Sequence, residues 1–563
     1  MIDSHFHLWT QDESTPEKRA ERAEQIRGEM DALGVDKICL IGNVGTTIEE
    51  CYESNRIVAK YVEEYPDLFY GWARVDPELG EEAVREFRRA VEEDGLLGLK
   101  HHFMPTTTSI SDPAFFPLAE AAVDMDVPII AHVMQRLDVD KENWDESEAH
   151  TEDVMALARR YPDLKLISAH IVAGGDAEYR IKNVEHQDNV ILDISGSNCE
   201  TDMIEMAAEY VGVDRLVHGT DTWLLPGVGK LDGIDLTPEE KTTIAYNMED
   251  LLPDTVPNKY DEAELEERRE QARIRFEERA QPREETIVTV NSGVGHWPFR
   301  SLDSSPDDLV SLMDRKGVDQ SLVSSFESVL YRNCHEGNRE LAESLRGYED
   351  RLIPVATINP DYTAWRQDLA ECVNDFGMRA VKLLPNYHDY DLDDPEAKAL
   401  LDRCAELDVP VIITAVLEDQ RGRHPRVLLR GYEDGGSRYF TDDHIDSLID
   451  LLMSCPETDV IVADLWANVE RVHRETCTKQ KEGVRLKNSV RTGRTLFTID
   501  DLFLYFTHQV AEIAETVGPD HLVVGPKLPL RIFDSYYNYV EHLPLSEAET
   551  DLVRSENVRS LLE

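Results

Sequence analysis

Two histidines stand two residues apart, His5 and His7, inside the short apolar run 2–8. Alternation along a strand sends residues i and i+2 to one face, so both imidazoles point the same way. Lys100 and His102 repeat that spacing in the run 96–102. Two further runs end in a histidine, Pro128-Ile-Ile-Ala-His132 and Leu166-Ile-Ser-Ala-His170, and Val217-His-Gly-Thr-Asp221 closes with His218 and a carboxylate. One histidine at a strand end is ordinarily a hydrogen-bonded packing residue. Metal-type side chains at the ends of five runs are a different matter. Imidazole nitrogens with one carboxylate suit Zn, Mn or Fe as divalent ions, and a site with few protein ligands leaves a position for water, so the metal expected is catalytic rather than structural.

The elements that must position these groups are legible as alternating patterns. Eight β-branched runs occur at 2–8, 37–42, 68–75, 96–102, 127–133, 164–170, 189–195 and 214–220. Stretches of helical spacing follow them, for example 17–33, 80–94, 112–125, 147–161, 200–212 and 237–251, with Asp112-Pro113 and Thr237-Pro238 as cap-plus-proline helix starts. Alternating strands and helices imply a parallel sheet, and eight units in about 250 residues match a (β/α)8 TIM barrel, whose chemistry sits at the C-terminal ends of its strands. The plan then repeats. Glu53-Ser-Asn-Arg56 recurs as Glu336-Gly-Asn-Arg339, Gly34-Val-Asp-Lys37 as Gly317-Val-Asp-Gln320, and Val75-Asp-Pro77 as Ile358-Asn-Pro360, all in the same order. The fold class expected is therefore α/β, two tandem (β/α)8 barrels: residues 1–253, a charged helical linker at 254–285 in which 18 of 32 residues are charged, and 286–563, with insertions within about 417–455 and 467–494.

The first half resembles the amidohydrolase-related (amidohydrolase 2) branch of the metal-dependent hydrolases. The matching stretches are Asp3-Ser-His5-Phe-His7, Gly98-Leu-Lys100-His-His102, His132, Ser168-Ala-His170-Ile-Val-Ala-Gly-Gly175 and Gly219-Thr-Asp221. The resemblance implies that His5, His7, His132 and Asp221 hold one divalent ion, zinc being expected and manganese or iron the alternatives. It also places His170 against substrate or bound water. Lys100 takes an electrostatic or substrate-anchoring role, or a salt bridge to a rim acid. In that arrangement Asp221 accepts a proton from the metal-activated water and passes it on, while His170 stabilises the developing oxyanion. Further substrate candidates around the rim are Trp9, His102, Arg136, Arg180 and Trp223, and Asp193 is a candidate to orient a ligand histidine.

The second copy reads as degenerate at its metal site. His5 and His7 fall on Gly293 and Gly295, His132 on Thr414, His170 on Asp464 and Asp221 on Lys527, while Lys382 alone matches, opposite Lys100. An ammonium in place of a carboxylate repels a cation. The expected function is hydrolysis of a small lactone, ester or amide in the first barrel. The runner-up is non-oxidative decarboxylation similar to that of aminocarboxymuconate-semialdehyde decarboxylase, which that branch includes. A metabolite-binding or scaffold protein with a relic site is the alternative of another class. Composition narrows the partners. A net charge of −55, with 113 acidic residues against 58 basic, disfavours nucleic acid and anionic membrane and resembles halophile surfaces. Eight scattered cysteines without a CxxC pair, and no apolar run of membrane-spanning length, lead us to expect a cytoplasmic protein whose barrels pack on each other, with a homo-oligomer possible.

Overall fold

A computed structural model describes the 563 residues except 9–14, 44, 136, 138–144, 146, 173–174, 254, 332, 424–426, 428–439, 441, 478–491 and 503. The chain divides into two compact units, Met1–Arg279 with Arg421–Arg426, and Ala280–Gln420 with Val427–Glu563. Among the described residues no helix is long and apolar enough to cross a membrane.

Among its described residues the first unit carries eight parallel strands, one within each of the runs above: β1 (Ile2–His7), β2 (Lys37–Ile41), β3 (Phe69–Trp72), β4 (Leu99–His101), β5 (Ile129–Ala131), β6 (Leu166–Ser168), β7 (Val190–Asp193) and β8 (Leu216–Val217). They form sheets in the orders β1-β2-β3 and β4-β5-β6-β7-β8. Backbone bonds bridge the sheets at both margins. Ala73 N donates to Gly98 O and Ser4 N to His218 O, each at 2.9 Å. Every residue of β1 is buried, polar ones included, as expected for a parallel strand covered on both faces.

Helix Pro16–Leu33 starts at a Thr15 cap with proline in its first turn and stops at Gly34, whose φ of 69° is the left-handed geometry that glycine adopts freely. Thr237-Pro238 does open a helix, Pro238–Leu251, through a capping box with Glu240. Asp112-Pro113 does not. Asp112 Oδ1 accepts from Ala114 N at 2.7 Å to make a turn, and the helix begins at Phe116. The charged segment also departs from the expectation of a solvated linker. Helix Glu262–Arg279 buries Ala272 and Phe276, four residues apart, and belongs to the first unit, where Arg275 pairs with the buried Asp232 at 2.8 Å and Arg268 with Asp36. Two apolar residues on one stripe were enough, because the arginines beside them find carboxylates.

The second unit repeats the order with one addition: β9 (Val288–Trp297), β10 (Leu302–Ser304), β11 (Gln320–Ser325), β12 (Leu352–Thr357), β13 (Ala380–Leu383), β14 (Val411–Ile413), β15 (Val460–Val462), β16 (Thr495–Thr498) and β17 (Leu522–Val523). The sheet runs β10-β9-β11-β12-β13-β14-β15-β16-β17, with β10 antiparallel to β9. Val290 N donates to Val524 O at 2.9 Å across its far margin. Val290, Leu322, Val355, Ile412, Ile461 and Leu496, from six different strands, share one apolar cluster.

Helix Phe533–Glu541 is held on this unit by Asp534, fully buried, which accepts from Arg283 Nη2 at 2.9 Å and from Lys316 Nζ at 2.6 Å. Burial alone would raise this carboxyl. The two cations overcome it and hold its pKa far below the ordinary value. Asp534→Asn removes a buried negative charge shared by two cations, leaving Arg283 with Glu541 at 3.1 Å, and is expected to cost about 3 kcal/mol in urea unfolding. Because the folded pKa is depressed, that stabilisation is complete above the unfolded carboxylate value near 4 and falls away as pH drops below it; unfolding series between pH 7 and pH 3 measure the loss.

Candidate functional site

The strand ends of the first unit converge. His5 Nε2 lies 3.2 Å from His7 Nε2, and Asp221 Oδ1 lies 3.7 Å from the former and 3.5 Å from the latter. These three donors fall within 4.8 Å of one another. Residues 216 positions apart meet because Gly219 leaves room: a Cβ there would stand 2.3 Å from Asp193 Oδ1 and 3.0 Å from His5 Cβ. Two residues later the backbone turns through left-handed geometry, with φ of 55° at Asp221 and 71° at the β-branched Thr222. Such conformations are costly and persist only where the surroundings over-determine them. Here Asp221 N donates to His5 O at 2.7 Å, and Thr222 Oγ1 accepts from His7 N at 2.8 Å.

Asp193 orients the first histidine. His5 Nδ1 sits 2.8 Å from Asp193 Oδ2, so the carboxylate fixes the Nδ1–H tautomer and turns the Nε2 lone pair inward. Ser195 Oγ donates to the same Oδ2 at 2.6 Å and stands 3.1 Å from His170 Nδ1. Lys100 Nζ lies 2.9 Å from His5 Nε2, a cationic donor on the lone pair that a metal would use. His102 lies on the same side, its ring 4.2 Å from that of His132, whereas His101 turns away to Thr108 O at 2.8 Å, as strand alternation requires.

His132 and His170 complete the cluster, their ring centroids 4.7 Å apart, with His170 Nδ1 3.6 Å from Asp221 Oδ2. His132 is not among the three converging donors; its Nε2 faces Glu148 Oε1 at 3.4 Å, while its Nδ1 is buried with no hydrogen-bond partner. An orphaned buried nitrogen costs about 1–3 kcal/mol unless something else meets it. Burial first, and then neighbouring cations and imidazoles, push the pKa of His5, His7, His132 and His170 well down, so all four present neutral lone pairs. Burial also lowers Lys100 and raises Asp221, opposed in each case by the attraction between the two. Neutral imidazoles, one carboxylate and an orphaned Nδ1 fit a divalent ion.

Other expectations fare differently. Arg180 was expected to reach a substrate carboxylate, but it is buried and donates to His170 O and Ala169 O at 2.6 Å each and to Ser168 Oγ at 3.1 Å, so its charge braces the loop after β6. Trp223 is half-buried directly after the strained turn. His218 is fully buried, both its ring nitrogens unpartnered, and it is not among the converging donors. Trp9 and Arg136 lie outside the described residues. The structure adds three contributors that the strand-end pattern does not mark: Glu148, Ser195 and Arg74. Arg74 follows β3, is buried, donates to Gly42 O at 3.2 Å and exerts its charge on His5, His7 and Lys100.

In the second unit the equivalent positions are satisfied internally. Lys527 Nζ donates to Asp464 Oδ1 at 2.5 Å with both side chains buried, Asp464 Oδ2 accepts from the backbone of Ala415 and Val416 at 2.8 and 3.1 Å, and Lys382 donates to Ser324 Oγ at 3.1 Å.

The profile of the amidohydrolase family matches residues 2–321 and, a second time, 291–562. The chain belongs to the amidohydrolase family. Among curated proteins this amidohydrolase is similar to a 2-amino-3-carboxymuconate-6-semialdehyde decarboxylase of Dictyostelium discoideum, 25% identical over 218 residues that make up 36% of this chain and 57% of that relative's length. Among solved structures it is similar to a 2,6-dihydroxybenzoate decarboxylase from Rhizobium, with 19% identity and a TM-score of 0.39 over 49% of this chain and 98% of that one. A dihydroxybenzoic acid decarboxylase from Polaromonas, solved with bound manganese, gives 20% identity and a TM-score of 0.34 over 44% of this chain and 95% of its own.

If Asp193 fixes the His5 tautomer, Asp193→Asn is expected to weaken divalent-ion binding by about 10–100-fold with the fold retained, as loss of a carboxylate behind a histidine ligand does. Competition with a chromophoric chelator measures it, and unchanged affinity would remove Asp193 from that role.

Proposed function

We propose that each unit is a (β/α)8 barrel and that the first alone is catalytic, a metal-dependent enzyme performing non-oxidative decarboxylation of a small carboxylic acid. The hydrogen bonds across both margins of the first unit's sheets, and across the margin between β9 and β17, support the closed barrels. The Lys527–Asp464 pair supports a second barrel degenerate at its strand ends. The domain division proposed runs from residue 1 to the end of helix Glu262–Arg279 and from there to the C-terminus.

The observation that carries the reaction class is a cationic field around the histidine cluster. Lys100 Nζ stands 2.9 Å from His5 Nε2, Arg74 is buried just beyond the end of β3, and Arg180 is braced on the His170 carbonyl, inside a chain of net charge −55. Such a field selects an anionic substrate. The curated relative's name adds support, since it acts on a carboxylated compound. His5, His7, Asp221 and His132 would hold the ion, zinc or manganese, and when bound it supplies Lewis acidity toward a substrate oxygen and lowers the pKa of a water toward about 7.

The chain's own residues do the rest. Arg74 and Lys100 hold the substrate carboxylate. The bond from carbon to that carboxylate breaks, its electron pair stays on the substrate carbon, and that carbon takes one proton, delivered by Asp221 with His170 Nδ1 standing 3.6 Å from Asp221 Oδ2. The net change is loss of carbon dioxide and gain of one proton. Hydrolysis, the reading the sequence favours first, keeps one observation in its favour: Asp221 stands beside both the donor cluster and His170, where a base for water would be needed. No disulfide joins the described cysteines, which supports the expected reducing compartment.

Carbon dioxide release from a panel of aromatic and unsaturated carboxylic acids, run beside lactone, ester and amide hydrolysis, separates the two readings. Asp221→Asn is expected to cost about 10²–10⁴-fold in whichever activity is real. Arg74→Gln is expected to raise KM by about 10–100-fold with kcat less affected, the signature of a lost charge-assisted substrate contact. A KM unmoved by Arg74→Gln would sink the carboxylate assignment.

A further inference from the structure

Among the described residues one other group of donors has metal-site spacing, and it lies in the second unit, away from the C-terminal strand ends. His473 on helix Val469–Thr476, Cys477 at that helix's end and His521 just before β17 place one ligand atom each within 4.8 Å of one another. His521 Nδ1 lies 2.8 Å from Thr495 O, the first residue of β16. A carbonyl only accepts, so Nδ1 carries the hydrogen and Nε2 is the nitrogen left to face Cys477 and a ligand, the arrangement found behind metal-bound histidines. The rings of His473 and His521 are 4.9 Å apart. Asp520 Oδ2, on an exposed side chain, is 3.8 Å from His521 Nε2 and can supply a fourth ligand, as can water. Of the eight cysteines, Cys477 alone is not fully buried, so an ion can reach its sulfur.

The first unit shows what this place in the fold requires. At the residue before β8, the counterpart of the one before β17, stands Arg215. It donates to Gln187 O and Glu185 O at 2.7 Å each and to Val184 O at 3.2 Å. It thereby pins the C-terminal end of helix Ala177–Val184 to the start of β8. In the second unit that guanidinium is replaced by His521, and the helix end it would have held instead offers Cys477 and His473, four residues apart on one face.

We propose that His473, Cys477 and His521 form a structural site for a zinc-class divalent ion that pins helix Val469–Thr476 to the start of β17, in place of the guanidinium used by the first unit. Two imidazole nitrogens and one thiolate suit zinc or cobalt and are too soft a set for magnesium or calcium. Tetrahedral ligand atoms stand roughly 3.3–3.8 Å apart, so donors now within 4.8 Å of one another close by about 1.5 Å at most on loading, within reach of rotation of the Cys477 side chain. The site is independent of the catalytic assignment and sits at the N-terminal strand ends, the face of a barrel associated with stability rather than chemistry.

Cobalt(II) added to the chelator-stripped full-length protein tests this. Thiolate ligation gives a near-ultraviolet sulfur-to-cobalt charge-transfer band, which the all-nitrogen-and-oxygen cluster of the first unit cannot produce. The band is expected to saturate within two equivalents, the first unit's cluster taking the other ion, to persist in Asp221→Asn, and to vanish in Cys477→Ser and weaken strongly in His521→Ala, the last two variants each losing one bound zinc per chain. X-ray absorption of the zinc-loaded wild type, which needs no variant to fold, is expected to show one sulfur ligand. A wild-type protein with no charge-transfer band or no sulfur ligand, or a band that survives Cys477→Ser, would overturn the site.

Discussion

A buried carboxylate held by hydrogen-bond donors holds the first unit's site together. Asp3 is fully buried, and its oxygens accept from Thr220 N at 2.9 Å, Thr220 Oγ1 at 2.5 Å and His5 N at 3.0 Å. Burial pushes its carboxyl up to about 7, and those donors pull against that rise. This group ties the first strand to the loop after the last. That closure sets His5 and His7 against Asp221, lets Gly219 slide beneath Asp193, and stores the left-handed turn at Asp221 and Thr222. A site assembled from opposite ends of a domain is only as well defined as the seam between them, and here the seam is hydrogen-bonded through a buried acid.

What the sequence made legible follows from periodicity. Alternation alone separates His5 and His7 from Phe6, and Lys100 and His102 from His101, so the inward set at each strand end could be read before any coordinates. The same rule, asked only for metal-type side chains, passed over Arg74 and Ser195, although each stands just beyond a strand end. Glu148 had no such signal, because it reaches His132 from a connecting segment whose path no pattern encodes. Arg180 misled for a related reason: its type suits an anion, but its place puts it under three acceptors of its own loop. The charged helix Glu262–Arg279 shows that a count of charges does not measure exposure when each arginine meets an acid.

The two units keep the same scaffold contacts while their sites diverge. Asn55 Oδ1 accepts from Arg74 N at 2.8 Å, and its counterpart Asn338 Oδ1 accepts from Thr357 N at 2.9 Å, so the repeat first seen as Glu-x-Asn-Arg is a conserved brace on the third strand's end. The residue braced has changed from arginine to threonine. With it went His5 and His7, whose places are now glycines packed against Phe326 and Glu327, and Asp221, now the lysine paired with Asp464. A buried position that exchanges a carboxylate for a lysine must find that charge a partner. Here an internal ammonium serves as the counter-charge to a carboxylate that backbone donors also satisfy.

Surface and site charge act over different ranges. The excess of 55 negative charges is spread over a solvated surface, where ions screen each group beyond roughly 8–10 Å at physiological ionic strength. Arg74 and Arg180 are buried, both still cationic with pKa values lowered only to about 10, and protein rather than salt separates them from the histidines. An anion approaching the mouth therefore loses the long-range repulsion to screening before it meets the short-range attraction, which nothing screens. The acid on the outside and the guanidinium inside are compatible for that reason, and a sequence-wide charge total describes only the first of them.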